Sequence, residues 1–463
     1  MKKVFVFCIG GTGIRVMKSI TMLMASGMDT NGYAVVPVIL DPHLDLEEKK
    51  NLHTLLASYQ SIYKKSTNDG SLNHLDGFFN SEIATINDLN DQVNDTQQSS
   101  GSKVKFRSYI SEANLAVDDI NNYFVQTLFS TKNLDSPLSV GFKGNPNVGT
   151  VVLGEMIEGA DWFKAFKQHC EKDDRIFIIS SIFGGTGASG FPLLEKKIRG
   201  AESQPAVKNA LMGAVTVLPY YGLKDPTTTG SDIDSANFYT KTKAALAYYE
   251  KTIHSDYLYY AGETSLMQVY DNDEKKQDDK AHFIELVAAS ALFDFLQREK
   301  PEKQQFLTRA IEDSKSSMDL ASLGDGYKEI VKSVADYKLL SALIDILPKE
   351  EYFPLSKNRG FNETFYKDAS FVALKNFTEI YDNWYKELST NKRAFAPLNT
   401  DNPRKMEGWV KNVSLDAKDD SYYLLKMIQA SNNNKERNHD NKFRFFLQFA
   451  YEAINYYTKK ILK

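Results

Sequence analysis

The chain has 463 residues, 42% of them hydrophobic, which is enough to bury a large core and allows roughly two to four domains. Its 56 Lys and Arg nearly balance 60 Asp and Glu, and the net charge of −4 excludes a global basic field that would recruit nucleic acid or anionic membrane. With Cys8 and Cys170 as its two cysteines it has no cysteine-based zinc site and no disulfide framework to expect, which points to a reducing, cytoplasmic setting.

The opening run MKKVFVFCIGG ends its apolar stretch in glycines rather than in a small-residue cleavage site, so Lys3 to Ile9 reads as a buried first strand and not as a leader. No stretch approaches the roughly 18 apolar residues of a membrane helix. Gly10 to Gly13 reads as a turn, and Ile14 to Ser26 as a helix with Ile14, Met17, Ile20, Leu23 and Met24 on one face. Tyr33 to Leu40 is a second strand, where Pro37 removes a ladder donor and suggests an edge or irregular position. A polar insertion follows over about residues 60–135, with NDLNDQVNDTQQSSGSK around Asn87 to Lys103 composed like an exposed segment.

Arg175 to Ser180 and Gly213 to Leu218 are further buried strands, Asn237 to Thr252 a helix, and DYLYY at Asp256 to Tyr260 another strand. Short apolar strands alternating with helices are the mark of a parallel sheet flanked by helices, an α/β fold. Ala281 to Leu296 is apolar all round and reads as a buried central helix. Beyond about residue 300 strand signals fade and helical ones dominate, ending in the aromatic segment Phe443 to Leu462, which reads as a packed helix or as a partner-binding or membrane-surface one. The expected organisation is residues 1–275 as a nucleotide-binding domain, 276–298 as the central helix and 299–463 as a helix-rich C-terminal domain.

Ligands of open α/β sheets sit outside the carboxyl ends of the strands. Four features fall at such ends: Gly10-Gly11-Thr12-Gly13, Asp41-Pro-His-Leu-Asp45, Gly141 to Gly149 (GFKGNPNVG), and Phe183 to Gly190 (FGGTGASG). Glycine lets backbone N–H groups approach a ligand, and a following helix N-terminus favours phosphate. Gly185, Gly187 and Gly190 also satisfy G-x-G-x-x-G, the dinucleotide pattern, which leaves an NAD-dependent oxidoreductase as a competing reading. Against it, the pattern does not stand on the first strand, Val16 replaces the third glycine of the first loop, and no acidic residue ends a strand at the right distance.

GGTGASG resembles the GGGTGSG signature of tubulin and FtsZ, GNPNVG at 144–149 is similar to the γ-phosphate loop of FtsZ, and IGGTGIRV at 9–16 resembles the superfamily's first phosphate loop. The order is the family's, and the resemblance covers roughly residues 1–300, closest in kind to the divergent bacterial tubulin-like proteins. It implies a Rossmann-like GTPase domain that binds GTP or GDP with Mg²⁺ and joins copies of itself head to tail into filaments. By that resemblance Gly184, Gly185, Thr186, Gly187, Ala188, Ser189 and Gly190 would cradle the α- and β-phosphates, with Thr186 and Ser189 adding hydroxyls. Gly10, Gly11, Thr12 and Gly13 would hold the other side, Gly144, Asn145 and Gly149 would sense the γ-phosphate, and Asp41 would sit near the metal. Asp232 or Asp234 would accept from a ribose hydroxyl.

The sequence departs from that pattern in three places. Gly262 and Ala281 stand where the family's two base-reading asparagines belong, removing bidentate pairs that are worth on the order of 1–3 kcal/mol each. Asn237 or His282 could substitute, although a histidine at a helix start is also what a cap looks like. In the loop after the central helix, Arg298 to Gln304, Glu299 and Glu302 are candidates to orient the attacking water on a neighbouring subunit's nucleotide, while a charged run around Pro301 is also what a solvated loop looks like. The helical tail replaces the family's second, mixed-sheet domain, so a non-polymerising switch that grips a protein partner through its C-terminal helices competes with the filament. Gly187→Asp is expected to abolish nucleotide binding while leaving the fold largely intact.

Overall fold

A computed structural model describes residues 1–42, 47–67, 77–86, 105–112, 119–138, 142, 144–223, 238–263, 268–270, 280–311, 317–318, 327–348, 361–398 and 441–461. The expected ribose residues Asp232 and Asp234, and Asn237, lie outside them. In chain order the elements that build the sheet and its cover are β1 (Lys2–Ile9), α1 (Gly10–Ala25), β2 (Tyr33–Leu40), α2 (Glu47–Thr67), α3 (Pro146–Gly159), α4 (Asp161–His169), β3 (Arg175–Ser181) and α5 (Gly185–Arg199). They continue with β4 (Leu211–Val217), α6 (Phe238–Thr252), β5 (Tyr257–Glu263), the central helix α7 (Phe283–Leu296), β6 (Gln305–Ile311), α8 (Lys328–Ile346), α9 (Ala369–Thr390) and α10 (Lys442–Ile461).

The six strands form one parallel sheet in the order β2-β1-β3-β4-β5-β6. β1 and β3 are almost wholly buried runs of Val, Ile and Phe, as a sheet covered on both faces requires. Phe5 and Phe7 meet Phe166 and Trp162 of α4 on one face, with α3 and α5 beside them; α1 and α7 cover the other. Pro37 stands in β2 at the sheet's edge, opposite Val6, and outside it a single parallel bridge joins Val35 to Ile83.

Two expectations are corrected. The glycines 10–13 are not a turn before the helix but its first residues: Gly10, at φ +72°, reverses the chain directly out of β1. Strand structure also does not end near residue 300, because Gln305–Ile311 pairs with β5 along its whole length and places a strand from beyond the central helix in the main sheet. Among the described residues the rest of the C-terminal part is helical apart from a short two-stranded pairing of Ser317–Met318 with Ala394–Phe395, and its helices add a further layer over α1 and α2. There Phe377 meets Tyr59 and Phe79, Tyr337 meets Phe79, and the Tyr381 and Ser26 hydroxyls are 2.8 Å apart, so these helices share one core with the sheet. α10 packs by Phe446, Phe449, Ala450 and Ile454, all buried, as the packed-helix reading expects.

Candidate functional site

Because every strand is parallel, the carboxyl ends lie along one edge. There the chain leaves β1 toward β2 on one side and β3 lies on the other, so the crevice between β1 and β3 is where the strand order changes direction. The glycine-led starts of α1 and α5 occupy that crevice. Gly10 faces Thr186 and Gly187: a Cβ at Gly10 would lie 3.4 Å from the Thr186 Cβ and 3.6 Å from the Gly187 nitrogen. The third loop closes on them, since a Cβ at Gly185 would meet the backbone nitrogens of Gly144 and Asn145 at 3.1 Å, and Gly149 on α3 abuts Ser189 on α5. Three loops separated by up to 177 positions in the chain therefore meet, and three helices, α1, α3 and α5, begin there. The first N–H groups of a helix have no intrahelical acceptor, and its N-terminus carries a partial positive charge.

The glycines do different work within this arrangement. Gly13, Gly187 and Gly190 lie under the helices, where a Cβ would come within 2.6 Å of the Cys8 carbonyl carbon, 2.5 Å of the Ser181 carbonyl oxygen and 2.8 Å of the Ile9 side chain. They let α1 and α5 press onto the sheet. A carboxylate at residue 187 would be driven into β3 rather than toward a ligand, so the expectation that Gly187→Asp spares the fold is corrected. The expected hydroxyl of Ser189 is likewise turned away: it donates to the Gly185 carbonyl at 2.7 Å and is buried within α5. Asn145 donates from Nδ2 to Asn133 Oδ1 at 3.1 Å, leaving its backbone rather than its side chain at the loop. Thr186 and Ala188 are half-buried on the same helix, and Gly184 precedes it as its N-cap.

Asp41 follows β2 directly, and because Leu40 pairs with Ile9 it stands beside Gly10, buried. Glu48 and Arg15 approach Gly11, at 3.6 and 3.8 Å from the Cβ position there. Arg15 belongs to a buried cluster. Its Nε donates to Glu285 Oε1 at 2.8 Å and its Nη2 to the Tyr220 hydroxyl at 3.1 Å, while Tyr220 donates to the same Glu285 oxygen at 2.7 Å and Glu48 lies 3.5 Å from Nη1. Burial works against the guanidinium charge, but Tyr220 and the carboxylates of Glu48 and Glu285 outweigh it and hold its pKa above the usual range. Beside this cluster α1, α2, the start of α7 and α9 line a cleft of about 460 Å³ that is partly open to solvent, among others with Arg15, Lys18, Glu48, Glu285 and Trp384. That volume lies within the range of small-molecule sites.

Of the two positions where the resemblance puts base-reading asparagines, Gly262 is closed by packing, while Ala281 lies in the wall of that cleft. A Cβ at Gly262 would lie 2.7 Å from the Leu218 Cβ, and the Ala281 backbone is taken up by Glu387 and Asn391, which bond its N–H and its carbonyl. His282 caps α7: its Nδ1 accepts from the Ile284 N–H, and Glu285 reciprocates toward the His282 N–H. Burial, followed by Arg393 and Arg15, lowers its pKa to about 3, so it is neutral at physiological pH. Glu299 and Glu302 are not brought to the glycine loops. They precede β6 at the amino edge, with the Glu299 carbonyl accepting from the hydroxyl of Tyr257, the first residue of β5.

Sequence reading missed Arg15, Glu48, Tyr220, Glu285 and Lys241, whose ammonium donates to the Gly144 carbonyl at 2.9 Å. For Arg15 a signal existed, since a charged residue amid Ile14, Val16 and Met17 on a core helix must be paired. No family model matches the chain, and no curated protein matches it in sequence. Solved structures that it resembles include CetZ from Methanosaeta thermophila strain DSM 6194, at 15% identity and a TM-score of 0.27 over 57% of this chain and 46% of that one. Another is an empty FtsZ dimer of M. jannaschii, at 14% identity and a TM-score of 0.26 over 64% of this chain and 53% of that one. The chain thus spans about half the length of each.

Proposed function

We propose that the chain binds a nucleoside triphosphate, GTP foremost, together with Mg²⁺, and that it is a GTPase of tubulin/FtsZ type that assembles head to tail. The observation that carries this reading is the meeting of three glycine loops, in the order the resemblance would have them, at the point where the parallel sheet changes direction. Three helix N-termini in one crevice suit a chain of phosphates better than a single anion.

Asp41, beside Gly10, would hold Mg²⁺ with phosphate oxygens and water completing its shell. One carboxylate suffices for a phosphate-bridged Mg²⁺, and among the described residues no group of three or more His, Cys, Asp or Glu converges that would favour an all-protein metal cage. When bound, the ion supplies charge neutralisation on the transferring phosphoryl group. The cleft beside Arg15 would give the nucleoside a place without the family's asparagines.

Hydrolysis would then need a second copy. Glu299 and Glu302 lie at the opposite edge of the sheet from the loops, so they could orient water only on a neighbour's nucleotide, an arrangement that head-to-tail stacking provides. The shared core of α8, α9 and α10 with α1 and α2 favours a second reading, a nucleotide-dependent switch that grips a protein partner without polymerising.

Calorimetric titration of the full chain with GTP, ATP, GDP and NADH in the presence of Mg²⁺ tests the proposal. A one-to-one complex with triphosphate is expected. No binding to any nucleoside phosphate overturns it, and preference for the nicotinamide dinucleotide replaces it with the oxidoreductase reading. Sedimentation of the same samples separates filament from switch, since only the filament pellets with triphosphate above a critical concentration.

A further inference from the structure

We infer that Glu387 and Lys18 read the base of the nucleotide, and that they make the site prefer guanine. This deepens the nucleotide reading above and rests on it. The cleft beside Arg15 starts at the first glycine loop and follows α1: Arg15 approaches Gly11, and Lys18 lines the cleft a turn further along. From Gly11 to Lys18 is about 10 Å at 1.5 Å per residue, which is the reach of a nucleoside from its phosphates. Glu387 of α9 stands at that end. Its Oε2 accepts from the Ala281 N–H at 3.0 Å and faces the Lys18 ammonium at 3.5 Å, and both side chains are 33% exposed. Ile14, Leu52, Leu55 and Ile380 line the same cleft and give it the apolar surface that the faces of a planar base require.

The carboxylates of the cleft are not equivalent. Glu285 is buried, with Oε1 taken by Arg15 and Tyr220 and Oε2 by the His282 N–H, and Glu48 faces Arg15. A carboxylate can accept about four hydrogen bonds, whereas both contacts of Glu387 fall on one oxygen. The pairing edge of guanine presents a carbonyl oxygen followed by two N–H donors. An ammonium beside a carboxylate matches it at all three points: Lys18 donates to O6 while Glu387 accepts from N1–H and from the 2-amino group, each bond charge-assisted. Adenine lacks the 2-amino group and offers one donor and one acceptor on that edge, so it makes at most two of the three.

The test is calorimetry of the full chain and of Glu387→Gln, each with Mg²⁺ and the triphosphates of guanosine, inosine, xanthosine or adenosine, alongside thermal melts. A glutamine keeps an acceptor for the Ala281 N–H, so the melt should shift little. The wild-type chain should prefer GTP over ATP, and over inosine triphosphate, which lacks the 2-amino group, by about tenfold or more, the scale of one charge-assisted hydrogen bond. Glu387→Gln should lose about tenfold to a hundredfold in GTP affinity and gain affinity for xanthosine triphosphate. Xanthine carries an oxygen where guanine has the amino group, and a glutamine amide can donate to it. A gain for one base with a loss for another is not what a merely disturbed fold produces. Unchanged GTP affinity in Glu387→Gln, equal losses for all four nucleotides, or a wild type that binds the guanosine, inosine and adenosine triphosphates alike overturns the assignment and leaves the nucleotide reading standing. A wild-type chain that binds none of the four overturns both.

Discussion

Among single residues, Glu195 offers the sharpest measurement. It is buried on α5, where its Oε1 accepts from the His254 N–H at 2.9 Å and the Ser255 hydroxyl at 3.0 Å, and Oε2 has no hydrogen-bond partner among the described residues. Burial, outweighing those two bonds and Arg199, raises its pKa from 4.5 to about 7. The native state therefore holds a proton that the unfolded chain releases, and stability falls as pH rises from about 4.5 through about 7. Glu195→Gln should gain on the order of 1–3 kcal/mol at pH 8 and much less at pH 5, and urea melts giving the same change at both pH values would refute it. His282 has the opposite sign. Its depressed pKa contributes stability above 6.5 that is lost as pH falls toward about 3, but this contribution is common to wild type and Glu195→Gln, so the difference between them at each pH isolates Glu195. Glycines 10, 144, 149 and 185 were legible in the sequence because a left-handed backbone at 10 and 144 and close approach at 149 and 185 favour glycine. Lys241 was not, since its meaning lies in a contact 97 positions away in the chain.

At the level of elements, the tie between α1 and the central helix runs through Arg15 and Glu285, 270 positions apart. Arg15→Met would leave Glu285 and Glu48 buried without that guanidinium, at a cost of about 3–5 kcal/mol. Adding Glu285→Gln should recover part of it, a coupling that denaturant melts of the two single variants and the double variant would read directly; strictly additive losses would show that the pair does not act as a unit. Most strands and long helices could be read from apolar runs and periodicity, because a two-sided parallel sheet writes itself as continuous Val, Ile and Phe. β6 escaped for a physical reason: it is an edge strand with Phe306 58% exposed, and its sequence QFLTRAI lacks a continuous apolar run. The buried cluster at the first loop was hidden for another, since β4, α1, α2 and α7 each supply one part of it or lie beside the part that does.

For the whole molecule, what matters is that the loops and the Glu299 to Glu302 segment occupy opposite edges of one sheet. If copies stack, Glu299→Ala and Glu302→Ala, singly or together, should lower GTP turnover by tenfold or more, on the order of removing a water-positioning group, while GTP affinity stays within about twofold. Phosphate release measured across protein concentration checks this. Turnover per chain that is independent of concentration, or unaffected by both substitutions, would count against a shared active site. Among the described residues no helix is long and apolar enough to cross a membrane, and the apolar face of α10 packs on the core.

That packing has a consequence for how the molecule is made. Asn441, at the start of α10, donates to the Lys65 carbonyl at the end of α2, 376 positions earlier, and Tyr451 meets Phe78 edge to face. A ribosome delivers α1, α2 and the first strands long before the helix that covers them. Those early elements must wait with apolar flanks open for the time needed to translate several hundred residues, on the order of tens of seconds at 5–20 residues per second. Completing the core is therefore a late, non-local event, and the nascent chain is a natural client for chaperones that shield α2 until α10 arrives.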